Sequence, residues 1–427
     1  MIFKACRRLR RNVEDYIKRL SSIASALMLL SVVCPAYAAS PETLVLIHGF
    51  LGWGRTEMFG VKYWGGVGQD YEEILKQAGF PTVSVAVGPV SSNWDRALEA
   101  YYQLKGGCVD YGAAHAKKFG HERYGRCYDK PLAPHWDEFH KIHLIAHSQG
   151  GQTARVLIHL LEYGDQEEQE ATGGKTADIF KGGHLWVRSV TTLSTPHNGT
   201  TLTKGAYTVT FDMAEQIITG IAGLVQESDK LSNLYDFKLD QWGLKRKIDE
   251  NQSGYMKRIK KSPVLQSPNV KDLAVWDLSP EGARALNARV KTSPNVYYFS
   301  VSTASTEKDE ASFTEHPVAT NAIIFIPLAN WMGSYRNLKP ARGEVVIDES
   351  WAKNDSIVNT VSMRGPEGST IKRFNGKPQK GVWQDMGTWD TWDHMDIIGQ
   401  TRMWNVLDGR NPRDFYLDHA KFLNTLK

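Results

Sequence analysis

Residues 142–155 read IHLIAHSQGGQTAR, and no other stretch constrains the fold as strongly. An apolar, strand-like run stops at Ser148, and a helical pattern starts at once. A turn of this kind, from strand to helix with a serine between, is sharp and strained. Small residues two before and two after the serine, here Ala146 and Gly150, let strand and helix approach closely. The turn lifts one hydroxyl clear of a sheet, at a helix N-terminus whose dipole and free N–H groups favour developing negative charge. A serine that merely caps a helix has the same residue type. The apolar strand before Ser148 and the amphipathic stretch QTARVLIHLLEYG (152–164) after it, closed by a glycine, supply the context that a nucleophile elbow requires.

The rest of the chain supports a layered α/β fold. Strand-like runs occur at 43–48, 82–87, 142–147, 187–194, 296–302 and 344–348. Several are apolar on both faces, as the central strands of a parallel sheet must be. The last helical pattern, PRDFYLDHAKFLNTL, opens on Pro412, where proline is tolerated. These alternations predict a mostly parallel central sheet with helices on both faces. Two stretches break the rhythm and read as insertions. Residues 88–140 are rich in Gly, His, Tyr and Trp, and residues 200–245 contain a helical run with Ala214, Ile217, Ile218, Ile221, Ala222 and Val225 on one face.

Charge excludes one class of partner. The formal net charge of the 427 residues is +4, but residues 1–38 hold seven Lys/Arg and two Asp/Glu. Without them the chain has 44 basic and 45 acidic residues, so nothing favours nucleic-acid binding. The basic residues Arg7 to Arg19, the apolar run IASALMLLSVV and the small-residue site Ala36-Tyr37-Ala38 read as a secretion signal cleaved after Ala38. The apolar run is shorter than the roughly 20 residues of a spanning helix, so no membrane anchor is expected after cleavage. Two cysteines remain beyond it, Cys108 and Cys127. Export favours a disulfide between them, and two free thiols are the alternative.

A serine nucleophile needs a base, an acid to orient that base, and two N–H groups for the oxyanion. The N–H of Gln149 is one donor, and the strand-end sequence His48-Gly49-Phe50 offers Phe50 N–H as the second. His48 reads as structural. The chain order for this fold is serine, acid, histidine. Six histidines follow Ser148: His159, His184, His197, His316, His394 and His419. His394 lies in a loop near the C-terminus, as the base should, whereas His419 falls in the last helix. The segment EVVIDESWAKNDSIVNTVS offers Asp348, Glu349 and Asp355 as the acid, and spacing does not choose among them.

With these residues in place a family likeness is evident. HGFLGWGRTEMFGVKYWGG, VDYGAAHAKKFGHERYGR, AHSQGGQTAR, TLSTPHNGTTL, NDSIVNTVSM and GVWQDMGTWDTWDHMDIIG resemble the zinc-containing thermoalkalophilic bacterial lipases of staphylococcal and bacillar type. The resemblance runs from about Leu44 to the last helix. It implies an α/β-hydrolase fold with a lipase domain over 39–427, a zinc-binding insertion at 88–140 and a helical lid at 200–245. It implies a triad of Ser148, Asp355 and His394, oxyanion donors at Phe50 and Gln149, and triacylglycerol or other lipid ester as substrate at a lipid–water interface. A phospholipase, a short-chain esterase and a non-catalytic lipid-binding protein are the alternatives.

The resemblance also implies metals. Asp95, His115, His121 and Asp272 fall where the family binds zinc, although two histidines spaced His-x5-His carry no metal signature on their own. Two imidazoles and two carboxylates complete a closed tetrahedral site, so such a zinc is structural. The family's calcium ligands match only at Asp396 and near Thr320. A later Asp-Pro pair is replaced here by IIGQTRMWN, which leaves calcium binding open.

Overall fold

The computed structural model describes residues 41–205, 235–247, 249–266, 270–309, 311–312, 314–401 and 409–427. The expected leader over 1–38 and the central part of the expected lid, residues 206–234, lie outside them. The described strands are β1 (Thr43–Ile47), β2 (Thr82–Val85), β3 (Gly107–Asp110), β4 (Tyr124–Tyr128), β5 (Ile142–His147), β6 (Val187–Leu193), β7 (Tyr297–Ala304), β8 (Thr306–Asp309), β9 (Thr314–Pro317), β10 (Ile371–Arg373) and β11 (Trp383–Asp390). Seven of them form one sheet in the order β10-β11-β7-β6-β5-β1-β2, and every neighbouring pair is parallel. The other four make two antiparallel pairs, β3 with β4 and β8 with β9.

Side chains on alternate residues of a strand point to opposite faces, and this sheet buries both. Val45 and Ile47 of β1, with Leu144 and Ala146 of β5, face the helices Asn93–Lys105 and Gln149–Tyr163. Leu44, Leu46 and Ile145 face Tyr71 and Leu75 of the helix Tyr71–Gln77, and Tyr416, Ala420 and Leu423 of the helix Pro412–Leu423. A helix layer on each face is what the both-sides-apolar strands predict. All six residues of β5 are buried, which places the nucleophile strand in the middle of the sheet.

Strand order locates the site. From β1 the chain moves outward to edge strand β2, while from β5 it moves the other way, to β6. The crevice at the carboxyl ends of β1 and β5, where connections diverge, is where open α/β sheets bind ligands. The segments opening there are His48-Gly49-Phe50 and Ser148.

Three expectations need correction. Residues 344–348 form no strand. Val346 is half exposed, and Ile347 makes only an isolated bridge to Asn337. The place beside β7 is taken by β11, whose sequence WQDMGTWD has a single β-branched residue, Thr388. Two of its polar members are buried with partners: Gln384 bonds Gln379 and Asp385 bonds Arg364. The stretch 88–140 is also less separate than expected. Its helix Asn93–Lys105 buries Ala97, Leu98, Tyr101 and Leu104 in the main core, so this part belongs to the scaffold. Only the β3–β4 hairpin and the helix Ala113–Phe119 stand apart from the sheet. Finally, the helix after β5 starts at Gln149, three residues before the amphipathic pattern suggests, and stops at Gly164 with φ 68°.

Candidate active site

The turn after β5 is as strained as its sequence requires. Ser148 has φ 56° and ψ −130°, a conformation sparsely populated by non-glycine residues. Its neighbours hold it there. Ser148 N–H donates to Leu193 O at 2.9 Å, and its carbonyl accepts from Gly151 N–H at 3.0 Å and the Thr195 hydroxyl at 2.9 Å. Close approach explains two glycines. A β-carbon at Gly150 would sit 2.3 Å from Ile47 O, and one at Gly49 would sit 2.5 Å from Ser148 Cβ. Gln149 opens the helix, where the first N–H groups have no carbonyl a turn earlier to bond.

The loop after β1 is oriented by two residues. Val87 N–H donates to His48 Nε2 at 3.1 Å, so the ring proton sits on Nδ1 and donates to Gly49 O at 2.8 Å. Burial, followed by the Arg96 charge, keeps the His48 imidazole well below its usual pKa and therefore neutral. Fully buried Arg96 donates to the carbonyls of His48, Gly49 and Gly88. Because a trans peptide points its C=O and N–H in opposite directions, anchoring Gly49 O turns Phe50 N–H the other way.

Asp355 and His394 meet although 39 residues separate them. His394 Nδ1 and Asp355 Oδ2 lie 2.8 Å apart, and both side chains are buried. The carboxylate accepts further bonds from Thr303 Oγ1 at 2.7 Å, Val358 N–H at 2.8 Å and Ile357 N–H at 3.1 Å. Those donors satisfy the charged form and fix its orientation. His394 N–H in turn donates to Asp355 O at 3.0 Å. Of the other candidate acids, Asp348 caps a short exposed turn and Glu349 is the first residue of that turn. His394 lies beside the elbow: its carbonyl bonds His147 Nε2 at 2.9 Å, and the two rings are 4.6 Å apart.

The second buried group lies behind the helix Asn93–Lys105. Asp95, His115, His121 and Asp272 each present one ligand atom, all within 4.8 Å of one another. Asp95 Oδ1, His115 Nε2, His121 Nε2 and Asp272 Oδ2 are buried without a hydrogen-bond partner. His115 Nε2 lies 3.4 Å from Asp95 Oδ1, and His121 Nε2 lies 3.2 Å from Asp272 Oδ2. Other atoms of these residues are anchored: His121 Nδ1 lies 2.8 Å from Glu122 O, and Asp95 Oδ2 accepts from Gln241 at 2.8 Å. A ring with its far nitrogen bonded to a carbonyl turns its other lone pair inward, as histidine ligands do. Four orphaned, converging atoms of N2O2 chemistry fit a divalent cation. Asp396 is engaged differently: Asp393 N–H donates to Oδ2 at 2.8 Å, and the Thr401 hydroxyl lies 2.6 Å from Oδ1. Among the described residues no other group of three or more such ligands converges.

A profile of the family described as "Lipase-like, C-terminal domain" matches residues 40–425. The chain belongs to this lipase-like family. It is 37% identical over 398 residues to the lipase of Staphylococcus hyicus, across 91% of this chain and 58% of that protein. The chain thus spans just over half the length of the curated relatives it matches. Among solved structures it is similar to EstA from Clostridium botulinum, with TM-score 0.83, 42% identity and coverage of 90% and 88% of the two chains. It is similar also to lipase 1 from Pelosinus fermentans, with TM-score 0.80, 41% identity and coverage of 91% and 100%.

Within this lipase-like chain, sequence reasoning named Ser148, Asp355, His394, Phe50 and Gln149 but missed the residues that hold them. Thr303 follows a strand pattern and carries no motif. Arg96 is hidden in a helix. His147 read only as the last residue of a strand, and Tyr63 drew no reading of its own. Their one signal is incidental: a polar residue inside an apolar pattern needs a partner. The partner is not deducible from sequence.

Proposed function

We propose that the protein is a secreted triacylglycerol lipase that hydrolyses carboxylic esters through Ser148, His394 and Asp355. The observation that carries this reading is the buried 2.8 Å bond between His394 Nδ1 and Asp355 beside a strained serine elbow. A carboxylate on Nδ1 holds the ring in the tautomer whose Nε2 accepts a proton, and it stabilises the imidazolium that follows. His394 takes the Ser148 proton as the hydroxyl attacks the ester carbonyl. Phe50 N–H and Gln149 N–H stabilise the tetrahedral oxyanion, at roughly 3 kcal/mol per donor. His394 then protonates the leaving alcohol, and water activated by the same ring releases the fatty acid.

Asp95, His115, His121 and Asp272 would hold a structural zinc. Once bound it supplies a cross-link, with no position open to substrate. The cross-link ties the Ala113–Phe119 helix to the Asn93–Lys105 helix and to the segment bearing Asp272. The Cys108–Cys127 disulfide pins the β3–β4 hairpin in the same region. Together with the leader-like residues 1–38, that disulfide supports export into an oxidising compartment. No described helix is long and apolar enough to cross a membrane.

Tributyrin and triolein hydrolysis by the protein and by Ser148→Ala tests the reading. The parent is expected to hydrolyse both, and Ser148→Ala to lose about 10⁴-fold or more in kcat. Activity unchanged in Ser148→Ala refutes it. Preference for phospholipid, or for butyrate esters alone, reassigns the substrate while keeping the triad.

A further inference from the structure

One buried chain of hydrogen bonds runs from the loop after β1 to the loop carrying His394. Gly49 N–H donates to Tyr63 Oη at 3.0 Å. Tyr63 Oη lies 2.6 Å from His147 Nδ1, and His147 Nε2 lies 2.9 Å from His394 O. The direction of each bond follows from the two ends. A backbone N–H only donates and a carbonyl only accepts. Tyr63 therefore accepts from Gly49 and donates its hydroxyl hydrogen to Nδ1 in a hydrogen bond, so the ring proton of His147 sits on Nε2 and donates to His394 O.

We propose that Tyr63 and His147 are positioning residues for ester hydrolysis, holding the Gly49–Phe50 donor loop and the His394 loop in one register beneath Ser148. The inference rests on the triad assigned above. Three observations support it. Tyr63 and His147 are almost fully buried, in a site where an unmet polar group is costly. His147 directly precedes Ser148, so its ring spans from the nucleophile strand to the base. Moreover, the segment around Tyr63 grips the base loop a second time: Gln400 Nε2 donates to Lys62 O at 2.6 Å and Tyr63 O at 2.7 Å, and Gly65 N–H to Ile398 O at 2.8 Å. The ring facing His394 also stays neutral, because burial and then the neighbouring His394 charge depress its protonation. When His394 becomes cationic in the reaction, it therefore meets no like charge 4.6 Å away.

Kinetics of Tyr63→Phe, His147→Leu and His147→Gln test the assignment, each measured well below its own melting temperature and scaled to the fraction of Ser148 labelled by a phosphonate. Misplacement of a reacting group by about 1 Å costs about 100-fold in rate. Tyr63→Phe and His147→Leu should thus lose roughly 10- to 100-fold in kcat while KM stays within about twofold. Gln offers an acceptor and a donor in place of the ring, so His147→Gln should recover most of the kcat lost in His147→Leu. Unchanged kcat per labelled site in Tyr63→Phe and His147→Leu, with only a lower melting temperature, overturns the inference and leaves the triad standing. An inactive, unlabelled parent overturns both.

Discussion

His394 and His115 are both buried imidazoles facing aspartate, yet their surroundings follow opposite plans. Around His394 the chain completes itself. Asp355 takes three donors besides the ring, and His147, Tyr63 and Gly49 pass hydrogen bonds onward until a carbonyl ends the series. Around His115 the chain stops short. Two imidazole nitrogens and two carboxylate oxygens converge with no donor between them and no hydrogen-bond partner. The first arrangement has one open task, moving a proton. The second presents four atoms that could hold one ion. Burial alone therefore does not separate the two clusters; completeness of hydrogen bonding does.

The largest effect should come from the self-complete cluster. Asp355→Asn preserves shape but offers an amide to Nδ1, which favours the wrong tautomer of His394. By analogy with measured serine hydrolases, kcat should fall about 10⁴-fold. The melting temperature should change far less. Activity within about tenfold of the parent would mean that the His394–Asp355 bond orients nothing of consequence.

The incomplete cluster should respond to removal of metal by losing stability rather than chemistry. Saturation at about 1,000 times Kd contributes about 4 kcal/mol, so chelation should lower the melting temperature measurably. Asp272→Ala should reproduce that shift and make the protein insensitive to chelator, while kcat per folded molecule changes little. A chelated protein that stays folded but turns over ester far more slowly would show that the two clusters are not independent.

Acid gives the smallest effect, and it belongs to the first cluster. His48 and His147 are held well below the ordinary histidine pKa, by burial first and then by the nearby charges of Arg96 and Lys238 for His48 and of His394 and His48 for His147. Their folded state resists protonation, whereas the unfolded chain accepts it near pH 6.5. Their contribution to stability is therefore present above about pH 6.5 and lost as pH falls below it, at about 1 kcal/mol per group per pH unit. Thermal melts from pH 7 to pH 5 should show this loss, and His147→Gln should make the slope shallower. A slope unchanged in that variant would mean that His147 is charged in the folded state.

Local sequence determined a good part of this protein. The elbow is legible because strain, small residues and an abrupt change of periodicity all fall within a few residues of Ser148. The helices opening at Gln149 and at Pro412, and strands β1, β2, β5, β6 and β7, follow from apolar periodicity, a property of neighbouring residues. His394 was within reach because chain order left few candidates. Choosing Asp355 over Asp348 and Glu349 needed the family resemblance, since all three sit in one polar segment. Tertiary structure decided the rest. β11 mixes polar residues among its apolar ones, so no apolar run marks it, and 344–348 looks like a strand but finds no sheet edge. The Gly49–Tyr63–His147–His394 series joins four separate segments, and the Asp95–His115–His121–Asp272 cluster joins three. Hydrogen bonds and ligand sets of this kind depend on where the backbone brings atoms in space. A linear sequence states which donors and acceptors exist, and only packing determines which of them meet.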